Sequence, residues 1–330
     1  MEPLARKILI SPPSGSAVCK AALARGIQVT SISSSGKPYK TPKGHTPAWV
    51  ANVRVIMHPM HMLTCHCCQV DWRKADALLP ETYSDILPRV GAVVHTLGTL
   101  LEDGKYKSAL AHGDVIGLVG GIAGGGANPL RGPQSSSYQV MNRDSALRVC
   151  EAFKSSKPDP EVAHVRPFIY ISAEDIFRPL IPARYIETKR EAEQRINQLL
   201  GDHPNHRSVF VRPSLVYHAH HRPLTSPLAA LIDLSASIHA SVPKGLPTPS
   251  SLLRAVAHAF PSSHGSPLSS PLHSIANALS IPPIHVDHVA EAICLALDPT
   301  KDVRGVLGVK EMRELIGWSE KGYGPRLGRA

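Results

Sequence analysis

The sequence has no apolar run long enough to cross a membrane as a helix. The longest nearly uncharged apolar stretch, residues 115–127, holds thirteen residues, well short of the roughly 20 that a spanning helix needs. A disulfide framework is missing too. Of the six cysteines, Cys19, Cys65, Cys67, Cys68, Cys150 and Cys294, three crowd into one tetrapeptide instead of spacing out as bridging partners do, which fits a reducing compartment. Charge is sparse at 19%, with no block of five or more like charges, no zinc-finger spacing and no aromatic RNA-binding motif, so a nucleic-acid partner is not expected and a basic RNA-binding protein ranks last among the readings. The formal charge of +10 then reads as a solvated basic surface. No internal repeat and no collagen-like period is present, and the N-terminus, with Arg6 and Lys7 but also Glu2, runs into an apolar stretch too soon to read as a presequence.

What is present is enough for a packed domain. The chain has 330 residues, 43% of them apolar, which sets one large domain or two small ones as the expectation. Thirty prolines, about twice the ordinary share, demand long irregular connections. Short β-branched runs at residues 7–10, 28–32, 90–95, 168–172 and 208–212 alternate with helical patterns at 17–25, 81–87, 138–153 and 184–200. That alternation predicts an α/β, Rossmann-type, doubly wound parallel sheet. Between 213 and 283 Pro, Ser and His dominate, with apolar helical patches at 227–238, 252–260 and 272–279. Helices are expected again at 286–297 and near 310–318. We therefore expect a dinucleotide-fold domain over 1–212 and a small helical, loop-rich C-terminal subdomain over 213–330 that completes the same fold.

The chemistry points to one segment. Tyr185 and Lys189 stand four apart at the head of the strongest helical pattern, so they project from one face a turn apart. An ammonium there favours the phenolate and would lower the tyrosine toward the range of a general acid/base. Ser172 ends the run FIYIS thirteen residues earlier, at the carboxyl edge of the sheet where α/β folds bind ligands. The expected roles are Tyr185 as acid/base, Lys189 as its tuner and a cofactor-ribose ligand, and Ser172 as the group that orients a substrate oxygen.

Around those residues the sequence resembles the short-chain dehydrogenase/reductase superfamily, in its extended and atypical branch of NAD(P)-dependent epimerases and dehydratases. The run AVVHTLG from Ala92 resembles the family's fourth strand, whose end, His95, Thr96, Leu97 and Gly98, lines the cofactor. Asp76 resembles the acidic position that touches adenine, Asn142 the asparagine of the family's central helix, which anchors backbone or water near Lys189, and Arg212-Pro213 the strand that leads to the nicotinamide. The phrases CKAALARG, SISSSGKP, VVHTLGTLLED, NRDSA, YISAED, RYIETKREAE and PPIHVDHVAEAI are similar to fungal mitochondrial members associated with coenzyme Q biosynthesis, themselves related to the 39-kDa-type accessory subunit of complex I. The resemblance implies NAD or NADP as cofactor, a quinone precursor or proteins of the coenzyme Q biosynthetic complex as partners, and a peripheral place on the matrix side of the mitochondrial inner membrane. Two functions follow from it: an NAD(P)-dependent oxidoreductase, or a non-catalytic scaffold or assembly subunit that keeps the fold.

The chain also departs from that pattern. Where relatives have a glycine-rich first turn for pyrophosphate, this one reads Ser11-Pro-Pro-Ser-Gly15. Only Gly15 is retained, and two prolines supply no N–H donors, so weakened or lost dinucleotide binding is expected. At the end of the second strand Ser33-Ser34-Ser35 replaces the arginine that would meet a 2′-phosphate. The glycine cluster in 113–137 imitates a phosphate loop, but Asn128-Pro129 follows it in place of a helix start, so it reads as a linker. The His/Cys-rich segment 58–68 offers soft ligands, but three cysteines in four adjacent positions do not build a tetrahedral site, and no metal is expected. Residues 51–69 read as an inserted surface loop of the kind that an unspliced intron leaves in a translated chain.

Overall fold

The computed structural model describes residues 7–11, 15–41, 43–51, 55–58, 61–64, 70–100, 138–162, 165–179, 181–218, 225–243, 245–259, 268 and 270–318. The strands are β1 (Lys7–Ser11), β2 (Gln28–Ser33), β3 (Val55–His58), β4 (His61–Thr64), β5 (Val70–Lys74), β6 (Ala92–His95), β7 (Arg166–Ile171), β8 (His206–Val211), β9 (Val216–Tyr217), β10 (Ile284–His285) and β11 (Gly305–Leu307). The helices are α1 (Ser16–Ala24), α2 (Ala48–Ala51), α3 (Ser145–Ser155), α4 (Ala183–Leu200), α5 (Thr225–Ser241), α6 (Pro249–Ala259), α7 (Pro271–Ser280), α8 (Val286–Ala296) and α9 (Val309–Leu315).

Seven strands form one sheet in the order β5-β2-β1-β6-β7-β8-β11, and each neighbouring pair is parallel. A parallel sheet needs a crossover between strands and is covered on both faces, so its central strands are apolar throughout. Side-chain alternation divides them between two cores. Ile8 and Ile10 of β1 join Val18 and Ala22 of α1 and Ala290 and Ile293 of α8 on one face. Leu9 joins Phe168, Val149 and Phe153 of α3, and Ala192 and Ile196 of α4 on the other. The strand order reverses between β1 and β6, the position where such sheets open a crevice for ligands. The doubly wound α/β fold that the sequence predicts is the fold observed, with a helical region following the sheet's main body.

The differences have local causes. The helix expected over 81–87 is instead two short 3-10 turns, Pro80–Thr82 and Leu87–Arg89, each with a proline in its first turn. There the Thr82 hydroxyl bonds back to the Leu79 and Asp76 carbonyls, a local alternative to helix. The helix expected over 138–153 begins as a π-helix, Gln139–Asp144, before α3. β5 was not expected, because an edge strand reading VDWRK is half-exposed and charged and shows no apolar run. β11, only three residues long, brings the C-terminal part of the chain into the main sheet beside β8. Part of the inserted segment is an antiparallel hairpin, β3 with β4, where a loop was expected. The glycine-rich stretch 113–137, Cys65, Cys67, Cys68, Pro12 and Pro13 lie outside the described residues. Among the described residues no group of three or more His, Cys, Asp or Glu is placed to hold a metal, and no helix is long and apolar enough to cross a membrane.

Candidate functional site

Helix α4 buries Ile186, Lys189, Ala192, Glu193, Ile196 and Leu200. Their three-and-four spacing is the stripe of an amphipathic helix laid on the sheet, but two of its members carry charge. A buried charge needs partners, and those that Lys189 and Glu193 find define two polar clusters at the carboxyl edge of the strands.

The first cluster lies at the reversal point. Lys189 is 3% exposed, donates to the Ile171 carbonyl at 2.9 Å and sits 4.7 Å from the centre of the Tyr170 ring. Desolvation lowers its pKa to about 7, against a smaller opposing pull from Glu193. Asn142 is fully buried. Its side chain accepts from the Thr99 N–H at 2.8 Å and donates to the Thr99 carbonyl at 3.2 Å, which ties the π-helix to the strand end after β6. The carbonyl of Asn142 accepts the Tyr170 hydroxyl, a bond the opened π turn leaves room for. Gly98 is where these groups meet: a Cβ there would stand 2.7 Å from Lys189 Nζ and 2.9 Å from Asn142 Oδ1. At Gly15 a Cβ would stand 2.5 Å from Ile10 Cγ2 and 3.4 Å from Thr96 Oγ1, so the retained glycine of the first turn lets α1 start hard against the sheet. Thr96 closes the same corner through bonds from its N–H and hydroxyl to the Ser11 carbonyl.

The second cluster surrounds Glu193, 5% exposed. Its carboxylate accepts the Ser172 hydroxyl, Arg190 Nη1 at 2.7 Å, Arg212 Nε at 3.0 Å and Arg212 Nη2. Burial alone would raise the Glu193 pKa, but the Arg212 hydrogen bond, then the Arg190 charge and the Ser172 bond, hold it below the usual range. Ser172 additionally accepts from Arg190 at 3.2 Å. The expected residues Ser172 and Arg212 are thus brought together, but around an acid that the sequence reading did not single out. The signal for Glu193 was present, because it follows Lys189 by four on the same helix face.

Tyr185 belongs to neither cluster. It is half-buried, its ring 6.4 Å from that of Tyr138 in an edge-to-face contact, and among the described residues no hydrogen bond joins it to Ser172 or Lys189. Burial, with a further contribution from Tyr138 and a smaller opposing one from Arg190, pushes its pKa up to about 12. The lowered phenol expected from a neighbouring ammonium is reversed here, because Lys189 faces Ile171 and is itself held toward the neutral amine.

The remaining expected ligands are turned onto their own chain. His95 is fully buried between Ser11 Oγ at 3.0 Å and Ser145 Oγ at 3.2 Å, and desolvation lowers its pKa to about 3, with Lys189 adding to the effect, so it is a neutral interior side chain. Leu97 packs on the α3/α4 core. Asp76 accepts the Leu78 N–H at 2.9 Å and Ser33 the Gly36 N–H at 3.0 Å, both as turn caps. Pro213 contributes its carbonyl to the Glu174 N–H at 2.9 Å. Among the described residues, a dinucleotide would meet side chains that already have partners within the chain. Lys189 is bonded to the Ile171 carbonyl, Arg212 to Glu193, and Arg73, which stands opposite Ile32 at the end of β2, to Asp71, while Asp76 is exposed with one oxygen on the Leu78 N–H.

A scan against models of protein families finds no match. The MIOREX complex component 2 of Saccharomyces cerevisiae is 33% identical over 216 residues, which cover 62% of this chain and 70% of that protein. Among solved structures, a short-chain type dehydrogenase/reductase from Mycobacterium ulcerans superposes with a TM-score of 0.51 at 14% identity, over 94% of this chain and 91% of that one. A short-chain dehydrogenase/reductase from Serratia marcescens gives 0.52 at 11% identity, over 93% and 96%. The chain belongs to the family of the yeast MIOREX complex component 2 and is built on the short-chain dehydrogenase/reductase fold.

Proposed function

We propose that this chain is an atypical mitochondrial member of the short-chain dehydrogenase/reductase fold that supports coenzyme Q biosynthesis as a subunit of a protein complex at the matrix face of the inner membrane, without hydride-transfer turnover of its own. One observation carries the second half of this reading. The hydroxyl of Ser172 and the ammonium of Lys189, which an acid/base tyrosine needs beside it, are bonded to Glu193 and to the Ile171 carbonyl. Tyr185 is left with a raised pKa, the wrong direction for proton transfer near neutral pH. The complex and its compartment rest on the relative named as a MIOREX complex component and on the likeness of its phrases to mitochondrial coenzyme Q proteins.

The rival reading, an NAD(P)-dependent oxidoreductase acting on a quinone precursor, is favoured by the convergence of Gly98, Asn142 and Lys189 at the reversal point of the sheet. Complementation separates the two. In cells whose own copy is deleted, a Tyr185→Phe chain is expected to restore ubiquinone to the level given by the wild-type chain. Failure of that variant at wild-type abundance sinks the scaffold reading and leaves the oxidoreductase. Unchanged ubiquinone on deletion removes the link to coenzyme Q.

A further inference from the structure

From position 3 to position 70 the sequence has no acidic residue and eight lysines and arginines. From 71 onward the signs nearly balance, with 28 lysines and arginines against 25 acids, so most of the net +10 sits in the first fifth of the chain. Acid-poor leaders that are cut away read in the same manner, but this stretch contributes β1, α1 and β2 to the body of the fold. Its charge therefore stays on the folded protein. Lys20 and Arg25, at α1, are answered by Asp287 and Glu291 of α8. Lys37, Lys40 and Lys43, in the connection from β2 to α2, are exposed, and among the described residues no ion pair holds any of the three.

That connection is fixed to one end of the sheet. Gly36, at φ +64°, packs so closely on β5, the outermost strand, that a Cβ there would stand 2.8 Å from the Lys74 backbone nitrogen. The Ala75 N–H donates to the Ser33 carbonyl at 2.9 Å, so Lys37 starts beside Lys74, itself exposed. Tyr39 stacks on Trp49 with ring centres 5.9 Å apart, and Trp49 packs against the core beneath α1. Next to Lys40, a turn is closed from the Thr41 N–H to the His45 carbonyl and from the Gly44 N–H to the Thr41 carbonyl, each at 2.8 Å, and it carries Lys43. Six residue steps separate Lys37 from Lys43, a span of at most about 21 Å.

We infer that this lysine loop is the surface through which the protein lies on an anionic phospholipid bilayer. Like charges held together without counter-charges repel one another, and a negative surface relieves that repulsion. A bilayer's potential spreads over an area and falls off within a Debye length, about 8 Å at physiological salt, so it favours bases that protrude together from one loop and requires no groove. Lysine, a compact charge on a flexible stem, suits such a diffuse field. A nucleic-acid single strand would need aromatic faces on which to stack. Among the described residues no Phe, Tyr or Trp is exposed, and Tyr39 and Trp49 stack on each other.

The inference rests on the functional reading above only for the nearness of a membrane, and vesicle binding is measured without reference to ubiquinone, so either can fail alone. The purified full-length protein should co-sediment with phosphatidylcholine vesicles that contain about 30% phosphatidylglycerol and not with phosphatidylcholine alone. Raising the salt from about 0.1 to about 0.5 M should release it. Each lysine at such a surface strengthens binding about fivefold, so Lys37→Gln/Lys40→Gln/Lys43→Gln should weaken it about 100-fold, with the unfolding midpoint unchanged. Lys157→Gln/Lys301→Gln, at exposed positions ahead of β7 and β11, should leave binding within about twofold of wild type. No binding to the anionic vesicles, equal binding to neutral ones, indifference to the triple substitution, or an equal loss in the double one would each overturn the inference. Capture of an RNA oligonucleotide in place of the vesicles would overturn it in favour of nucleic acid.

Discussion

Two polar clusters stand a few residues apart at the same edge of the sheet, and they are built on opposite principles. Around Gly98 the chain makes room: a missing Cβ lets Lys189 and Asn142 approach the backbone, and each bonds a main-chain group. Around Glu193 the chain fills room: two arginines and a serine converge on one carboxylate. The first arrangement keeps the outline of a nucleotide site, and the second ties the ends of β7 and β8 to α4. One helix stripe serves both, because Lys189 and Glu193 are buried four apart on the same face of α4.

Substitutions can sharpen or break this contrast. The largest effect belongs to Glu193→Ala, which strands Arg212 and Arg190 beside Ser172. Urea unfolding followed by circular dichroism should show a loss of about 3–5 kcal/mol, and a loss under about 1 kcal/mol would mean that the cluster does not hold the strand ends. Gly98→Val inserts a branched side chain where Lys189 and Asn142 already stand. It should cost about 1–3 kcal/mol, and a neutral result would show that the space at Gly98 is open.

A pH experiment isolates Lys189. Its folded value lies near 7 against 10.5 unfolded, so between those values the unfolded chain binds the additional proton, and stability rises with pH across that window. Relative to Lys189→Met, the wild-type chain should gain about 2 kcal/mol from pH 7 to 9. The raised thiols of Cys19, Cys150 and Cys294 begin to oppose this in the upper part of the interval, but both chains carry them, so they cancel in the difference. A flat difference would place the ammonium in water. Ser172→Ala is the smallest, about 1 kcal/mol or less, because Glu193 keeps both arginines, and a larger loss would make the hydroxyl a principal support of the second cluster.

The fold was legible because buried parallel strands write themselves as apolar runs: KILI, AVVH and FIYI, read from the sequence, lie in β1, β6 and β7. β5 was illegible for the converse reason, since Asp71, Arg73 and Lys74 at a sheet edge resemble a loop. The site was half legible. Helix periodicity put Tyr185 and Lys189 one turn apart, and the same periodicity pointed to Glu193, but spacing along one helix does not say which way a lysine bends. That direction is set by the Ile171 carbonyl and the Tyr170 ring, groups supplied by the neighbouring strand. The interior fate of His95 was equally hidden, because Ser11 and Ser145, which satisfy it, come from elements far apart in sequence.

The claim that the nucleotide fold has been kept while its chemistry has been lost is tested most directly by titrating NADH and NADPH into the purified full-length chain and following heat and nucleotide fluorescence. The account predicts no saturable binding of either nucleotide tighter than about 1 mM, in the wild-type chain and in Tyr185→Phe alike. Micromolar binding, with a turnover that Tyr185→Phe abolishes, would contradict it.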